Sequence, residues 1–176
     1  MITSSASGMT PMRTFDLTKG LSPMPRAPLP EHLVAALVRP NPCVIAMLGR
    51  GGAPVSVATW YLWADGRVLV SMDAQRRRLD HLRADPRVSL TVLDAASWYS
   101  HISLQGRIVS LTDDADLADI DRISHHYMGM PYADRERLRV SGWIEIDTWH
   151  AWGALAGQPA RAASRSKATV TTASTP

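Results

Sequence analysis

At 176 residues, 45% hydrophobic and 20% charged, the chain is long enough to bury a sizeable core in one domain. Its single cysteine excludes a disulfide framework and a cysteine metal cluster, and no apolar run reaches the length of a membrane helix. The net charge of +3 misleads: between Pro30 and Gly153 stand 13 Arg, no Lys and 15 Asp or Glu, so the basic excess lies in the termini. That distribution argues against a nucleic-acid partner, which needs a basic face on the folded domain.

Residues 1–28 are rich in Ser, Thr, Met and Pro, lack the apolar core of a signal peptide, and read as a flexible tail on a cytoplasmic protein. The folded unit is expected over 29–155. Leu33, Val34, Leu37 and Val38 form a short amphipathic helix that Pro40 and Pro42 stop. Cys43–Leu48 reads as a strand with Cys43 as a buried thiol, followed by a Gly-rich hairpin loop at 49–52. Pro54–Trp63 reads as one strand, then a turn at Ala64-Asp65-Gly66 and a strand Arg67–Ser71.

An Arg-rich helix follows, capped by Asp73 and stopped at Asp85-Pro86, with Leu79 and Leu82 on its buried side. Two strands, Arg87–Leu93 and Tyr99–Leu111, precede a helix over Asp113–Met128 whose apolar stripe is Leu117, Ile120, Ile123 and Tyr127. Arg139–Asp147 is the last strand, with Trp149–Gly153 as its extension, and 156–176 is a second flexible tail. Six strands joined mostly by hairpins, with short helices beside them, predict a mainly β fold: a small six-stranded barrel with flanking helices.

Few chemistries have residues to rest on. His125 and His126 are adjacent and project about 100° apart on a helix, so they cannot share a metal. The acidic cluster Asp113, Asp114, Asp116, Asp119 and Asp121 lacks the Gly and Glu of a calcium loop. No metal site is expected. Hydrolase, kinase and Rossmann motifs are missing as well.

Two features remain. Arg76, Arg77 and Arg78 open a helix, where free N–H groups, the helix dipole and guanidiniums favour an anion such as phosphate. A solvated basic face is the competing reading, because the three side chains fan out and Asp73 competes for the same N–H groups. The second feature is aromatic: six Trp against one Phe. Alternation puts Trp60 with Ala58 and Ser56 on one face of its strand, and Tyr61 with Thr59 and Val57 on the other. Flat amphipathic rings suit stacking on a planar ligand, or the core or a dimer interface.

The order CVIAML, a second strand after Pro54, DGRVLVS, SMDAQRRRLDHLRADPRVSLTV and MGMPYADRERLRVSGWIEIDTWHAWG resembles the pyridoxamine 5'-phosphate oxidase-like split β-barrel family over about residues 30–153. Within it the chain is similar to the actinobacterial branch that uses the deazaflavin coenzyme F-420. The resemblance implies that Ser71, Gln75, Arg76, Arg77 and Arg78 hold the cofactor's phosphate and side chain. It further implies that the strand bearing Ser56, Thr59, Trp60 and Tyr61 lines the ring, and that Trp98 and Tyr99 close the site across a homodimer. Arg78 departs from the family's usual Lys, a change from a point charge to a planar fork. The expected function is transfer of a hydride from coenzyme F-420 to an unsaturated or imine-type small molecule. The alternatives are an FMN-dependent oxidase or reductase and a non-catalytic flavin-binding protein. Tyr61, Tyr99 and His101 make only a weak proton-donor set, which keeps the non-catalytic alternative open, and no catalytic residue is assigned.

Overall fold

A computed structural model of the chain describes Met24 and residues 26–157; the rest of the two predicted tails lies outside the described residues. The elements in order are α1 (Glu31–Leu37), β1 (Cys43–Leu48), β2 (Pro54–Thr59), β3 (Leu62–Ala64), β4 (Arg67–Asp73), α2 (Arg77–Ala84), β5 (Arg87–Asp94), β6 (Ser97–Asp113), α3 (Ala118–Met128) and β7 (Arg139–Trp152). They form one seven-stranded sheet in the order β2-β1-β5-β6-β7-β4-β3, every neighbouring pair antiparallel.

Six strands were expected and seven are found, because the stretch 54–63 is two strands. Trp60 and Tyr61 leave the ladder between them. Tyr61 is fully buried, its hydroxyl donating to the Arg39 carbonyl at 3.2 Å, and Trp60 stacks on Tyr127 with ring centroids 5.3 Å apart. The two strands so divided, β2 and β3, are the opposite edges of the sheet. Three peptide units span at most roughly 11 Å, so the sheet must curl enough to bring the end of β2 close to the start of β3. Asp65 and Gly66, both at positive φ (53° and 71°), make the tight turn that returns β3 into β4.

Alternation along the strands sends Ile45, Met47, Val68, Val70, Leu90, Val92, Ile102, Leu104 and Ile144 into one core, closed by Leu33 and Leu37 of α1 and Leu79 and Leu82 of α2. The opposite face of β4 is also covered: Leu69 packs with Leu117, Ile120 and Ile123 under α3. Past Ile144 the β4 ladder ends. Arg26 and Ala27 take up the side of β7 so freed, through a bridge to Thr148 and a hydrogen bond from the Ala27 N–H to the Asp147 carbonyl at 3.2 Å. The folded unit therefore takes in residues the sequence assigns to the tail.

α3 starts five residues later than expected. Leu117 turns left-handed (φ 60°) and interrupts the helix there. Both carboxylate oxygens of the buried Asp114 accept N–H groups of its first turn, Asp119 at 3.1 Å and Ile120 at 2.9 Å. Asp114→Ala should strand both donors and cost about 2 kcal/mol, as losing a charged cap does. A thermal melt should show Tm several degrees lower, with Asp114→Asn recovering part of the loss. An unchanged Tm for Asp114→Ala would show that another group caps α3.

Candidate functional site

The Arg-rich segment is held by the end of β4. Asp73 does not cap the helix as expected: its Oδ1 accepts the Gln75 N–H at 2.9 Å, one turn earlier. α2 begins at Arg77 behind Arg76, and no side chain caps it. The carboxylate expected to compete for the helix amides is thus spent elsewhere. Its Oδ2 faces Arg137 at 3.3 Å and Arg76 at 3.7 Å. The Gln75 amide holds the Asp73 carboxyl below the usual carboxylate range; burial opposes this, while Arg137, Arg76 and Arg139 assist.

Only Arg77 and Arg78 open the helix; Arg76, expected within it, precedes it in extended backbone (φ -82°, ψ 131°). Arg76 and Arg77 are exposed and Arg78 is half-buried. All three, with Gln75, Val55, Val57 and Ala58, line a groove of about 630 Å³. Arg78 and Ala58 also line a neighbouring cavity of about 580 Å³, so the two spaces share a wall. Arg78 is the only one of the three in this cavity. It lies between the start of β1, the end of β2, the β4–β7 pair and α3.

Its apolar wall is Pro40, Pro42, Trp60, Ile120, Ile123 and the rings of Tyr127 and Tyr132. Its polar end is Ser71, Arg78 and Arg139. Arg139 Nε donates to Ser71 Oγ at 3.1 Å, and its guanidinium lies 5.2 Å from the Tyr132 ring centre. The Nε of Arg78 is buried and has no partner among the described residues. Burial, and then repulsion from Arg139 and Arg76, lower the Arg78 pKa, with Asp73 opposing. A buried donor in an excess of positive charge, beside an apolar hollow, suits a ligand with an anionic end and a flat aromatic end.

The structure brings Thr59, Trp60, Ser71 and Arg78 together in the cavity, and Gln75, Arg76 and Arg77 in the adjoining groove. Ser56 is exposed on the edge strand and lines neither space. Tyr61 belongs to the core. The expected alternation of Trp60 and Tyr61 fails because the chain leaves the sheet at Trp60, so Ala58, Thr59 and Trp60 all face the cavity. Trp98 and Tyr99 are 75% and 57% exposed, away from it, in an edge-to-face cluster with Trp152. None of Tyr61, Tyr99 and His101 lines the cavity.

Sequence reasoning missed Arg139, Tyr127 and Tyr132 as wall residues. Period-2 alternation in RVSGWIEI puts Arg139 with Ser141 and Trp143 on one face, opposite Val140 and Ile144; only the pairing of β7 with β4 shows what that face meets.

Cys43 also touches the cavity, but it is almost wholly buried and its thiol is pushed up to about 12 by burial. It stays protonated at neutral pH and is no nucleophile. Iodoacetamide at pH 8 should leave it unmodified in the native protein and alkylate it in denaturant, read by mass spectrometry. Rapid native labelling would show the cavity floor to be open. Among the described residues, no three His, Cys, Asp or Glu converge as metal ligands, and no helix is long and apolar enough to cross a membrane.

The family model of pyridoxamine 5'-phosphate oxidase matches residues 29–153. The chain belongs to that family. Solved structures share the fold at low identity. An F-420 reductase is 21% identical, with 65% of this chain and 93% of that one covered and a TM-score of 0.59. A conserved hypothetical protein from Mycobacterium tuberculosis is 21% identical, with 81% and 96% covered and a TM-score of 0.60. General Stress Protein 26 of Bacillus anthracis is 17% identical, with 69% and 92% covered and a TM-score of 0.54. No curated protein matches the chain.

Proposed function

We propose that the chain is a reductase that uses the deazaflavin coenzyme F-420 and delivers hydride to an unsaturated or imine-type small molecule. The observation that carries this reading is the shared wall between an aromatic cavity and an arginine-lined groove, with Arg78, whose Nε has no partner among the described residues, at the junction. A ring system with a long polyanionic tail suits that shape: ring in the cavity, tail along the groove. On this reading the curled sheet is the family's split β-barrel.

Ser71 and Arg78 hold the phosphate, Gln75, Arg76 and Arg77 follow the acidic tail, and Thr59, Trp60 and Tyr127 bound the ring. Bound there, the cofactor supplies the hydride, and the protein supplies position, electrostatics and exclusion of water. This division of labour accounts for a cavity without an acid–base pair. The Tyr127 hydroxyl, which donates to the Asn41 carbonyl at 2.7 Å, has its pKa raised, mainly by burial, and stays neutral.

FMN is the second reading, because its shorter anionic chain needs only the cavity end. Titrating the full-length protein separately with coenzyme F-420 and with FMN tests both. Tight F-420 binding with weak FMN binding is expected. The reverse moves the function to FMN, and no binding of either removes the proposal. Bound reduced F-420 that no acceptor of the stated class oxidises would leave a carrier rather than a reductase.

The homodimer belongs to the same reading, with Trp98 and Tyr99 of each copy closing the cavity of the other. Its support is their exposure in a cluster with Trp152. Sedimentation at micromolar concentration should give a dimer, and a monomer there would count against a shared site.

A further inference from the structure

The outer face of the β4–β7 pair changes character along its length. Leu69 stands opposite Trp143, Ser71 opposite Ser141, and Asp73 opposite Arg139, so all six side chains share one face. The first pair is covered by α3. Ser71 and Arg139 open into the cavity.

Three observations there lack a structural explanation. Arg139 forms no ion pair among the described residues, since the acid opposite it is engaged by Arg137 and Arg76. Ser71 Oγ accepts from Arg139, which leaves the hydroxyl proton free to donate. The buried Ser141 Oγ beside it, and the buried Arg78 Nε, have no partner among the described residues. Buried donors are rarely left unpaired in a native fold, because each costs the desolvation it never recovers. Two guanidiniums facing one cavity without a carboxylate also repel each other until an anion arrives.

We propose that Arg139 is a ligand-binding residue, forming with Arg78 a two-guanidinium seat, backed by Ser71 and Ser141, for a phosphate-type oxyanion. The seat rests on the reading above in one respect: the cofactor's phosphate is one source of such a group, and a phosphorylated substrate is the other. It assigns the inner contact to a strand some 60 residues beyond the arginine motif and leaves the exposed Arg76 and Arg77 with the outer groove. The aromatic ring of Tyr132 under the Arg139 guanidinium holds it in place without neutralising it.

Inorganic phosphate is the probe. In the full-length wild type, phosphate should raise Tm above chloride of equal ionic strength, by binding the native state. Arg139→Gln should need about tenfold more phosphate or more for the same rise, the cost of one charge-assisted contact. Arg139→Lys should recover part, because it keeps the charge and loses the fork. Arg122→Gln, on the exposed side of α3, should respond as the wild type does. A wild type with no phosphate-specific rise, or an Arg139→Gln variant with the full rise, overturns the seat. If Arg139→Gln does not fold, Arg139→Met is held to the same criterion.

The two proposals fail separately. Phosphate protection through Arg139 in a protein that binds neither F-420 nor FMN keeps the seat and removes the cofactor reading. Equal cofactor affinity in wild type and Arg139→Gln, with no phosphate protection, removes the seat alone. Phosphate that competes with bound cofactor marks the cofactor as the source; phosphate that still protects at saturating cofactor marks the substrate.

Discussion

Arg78→Ala should weaken cofactor binding ten- to a hundredfold while leaving the fold intact. The loss corresponds to one charge-assisted hydrogen bond, about 1.5–3 kcal/mol. The fold should not suffer, because burial and the neighbouring Arg139 and Arg76 already disfavour the charged form of this side chain. Removing it relieves that repulsion, so Tm should hold or rise slightly. Arg76→Ala should cost less, since Arg76 is exposed and partly occupied by Asp73. Arg78→Lys should be mild if the site works as the family's does. Wild-type affinity should fall with added salt, as a partly Coulombic contact requires. Calorimetric titration of the three variants decides it: an unchanged affinity for Arg78→Ala would leave the arginine run as a solvated face.

Gly106→Ala carries the largest expected effect on stability. Gly106 sits where β6 and β7 slip register, between Gln105 and Gly106. A Cβ built there would lie 2.0 Å from the Glu145 carbonyl oxygen and 3.0 Å from its carbon. The obstacle is backbone, which cannot swing aside as a side chain can, and φ is not the issue at this position. Separating the strands would break the longest ladder in the sheet. A loss of about 3 kcal/mol or more is expected, a fall in Tm of roughly 10 °C for a domain of this size. Gly106 lies outside the cavity, so protein that does fold should bind cofactor normally. A wild-type melt for Gly106→Ala would mean that the two strands stand further apart at the bulge.

Much of the fold was legible because it is written in local patterns. The runs CVIAML and RVSLTV, the Asp-Gly turn and the proline stops each specify an element within a few residues. The split at Trp60 was not legible, since nothing local says that a strand is to pass from one edge of a curled sheet to the other. The start of α3 was misplaced for a related reason: the acidic residues at 113–116 look like a first turn, whereas one of them, Asp114, reaches forward from outside the helix. In the site, the arginine motif announced itself by composition. Arg139 did not, because a single Arg on a strand acquires meaning only from what it is paired with.

That pairing joins segments far apart in the chain: Arg139 Nε meets Ser71 Oγ across 68 positions, and α3 reaches the cavity from between them. Closing so long a loop is entropically slow and is rewarded only once both strands are in place. During synthesis the arginine motif leaves the ribosome well before β7 does. The nascent chain therefore presents its most cationic segment with no cavity behind it, and competence to bind arrives late, with the last strand, rather than accumulating as the polypeptide grows.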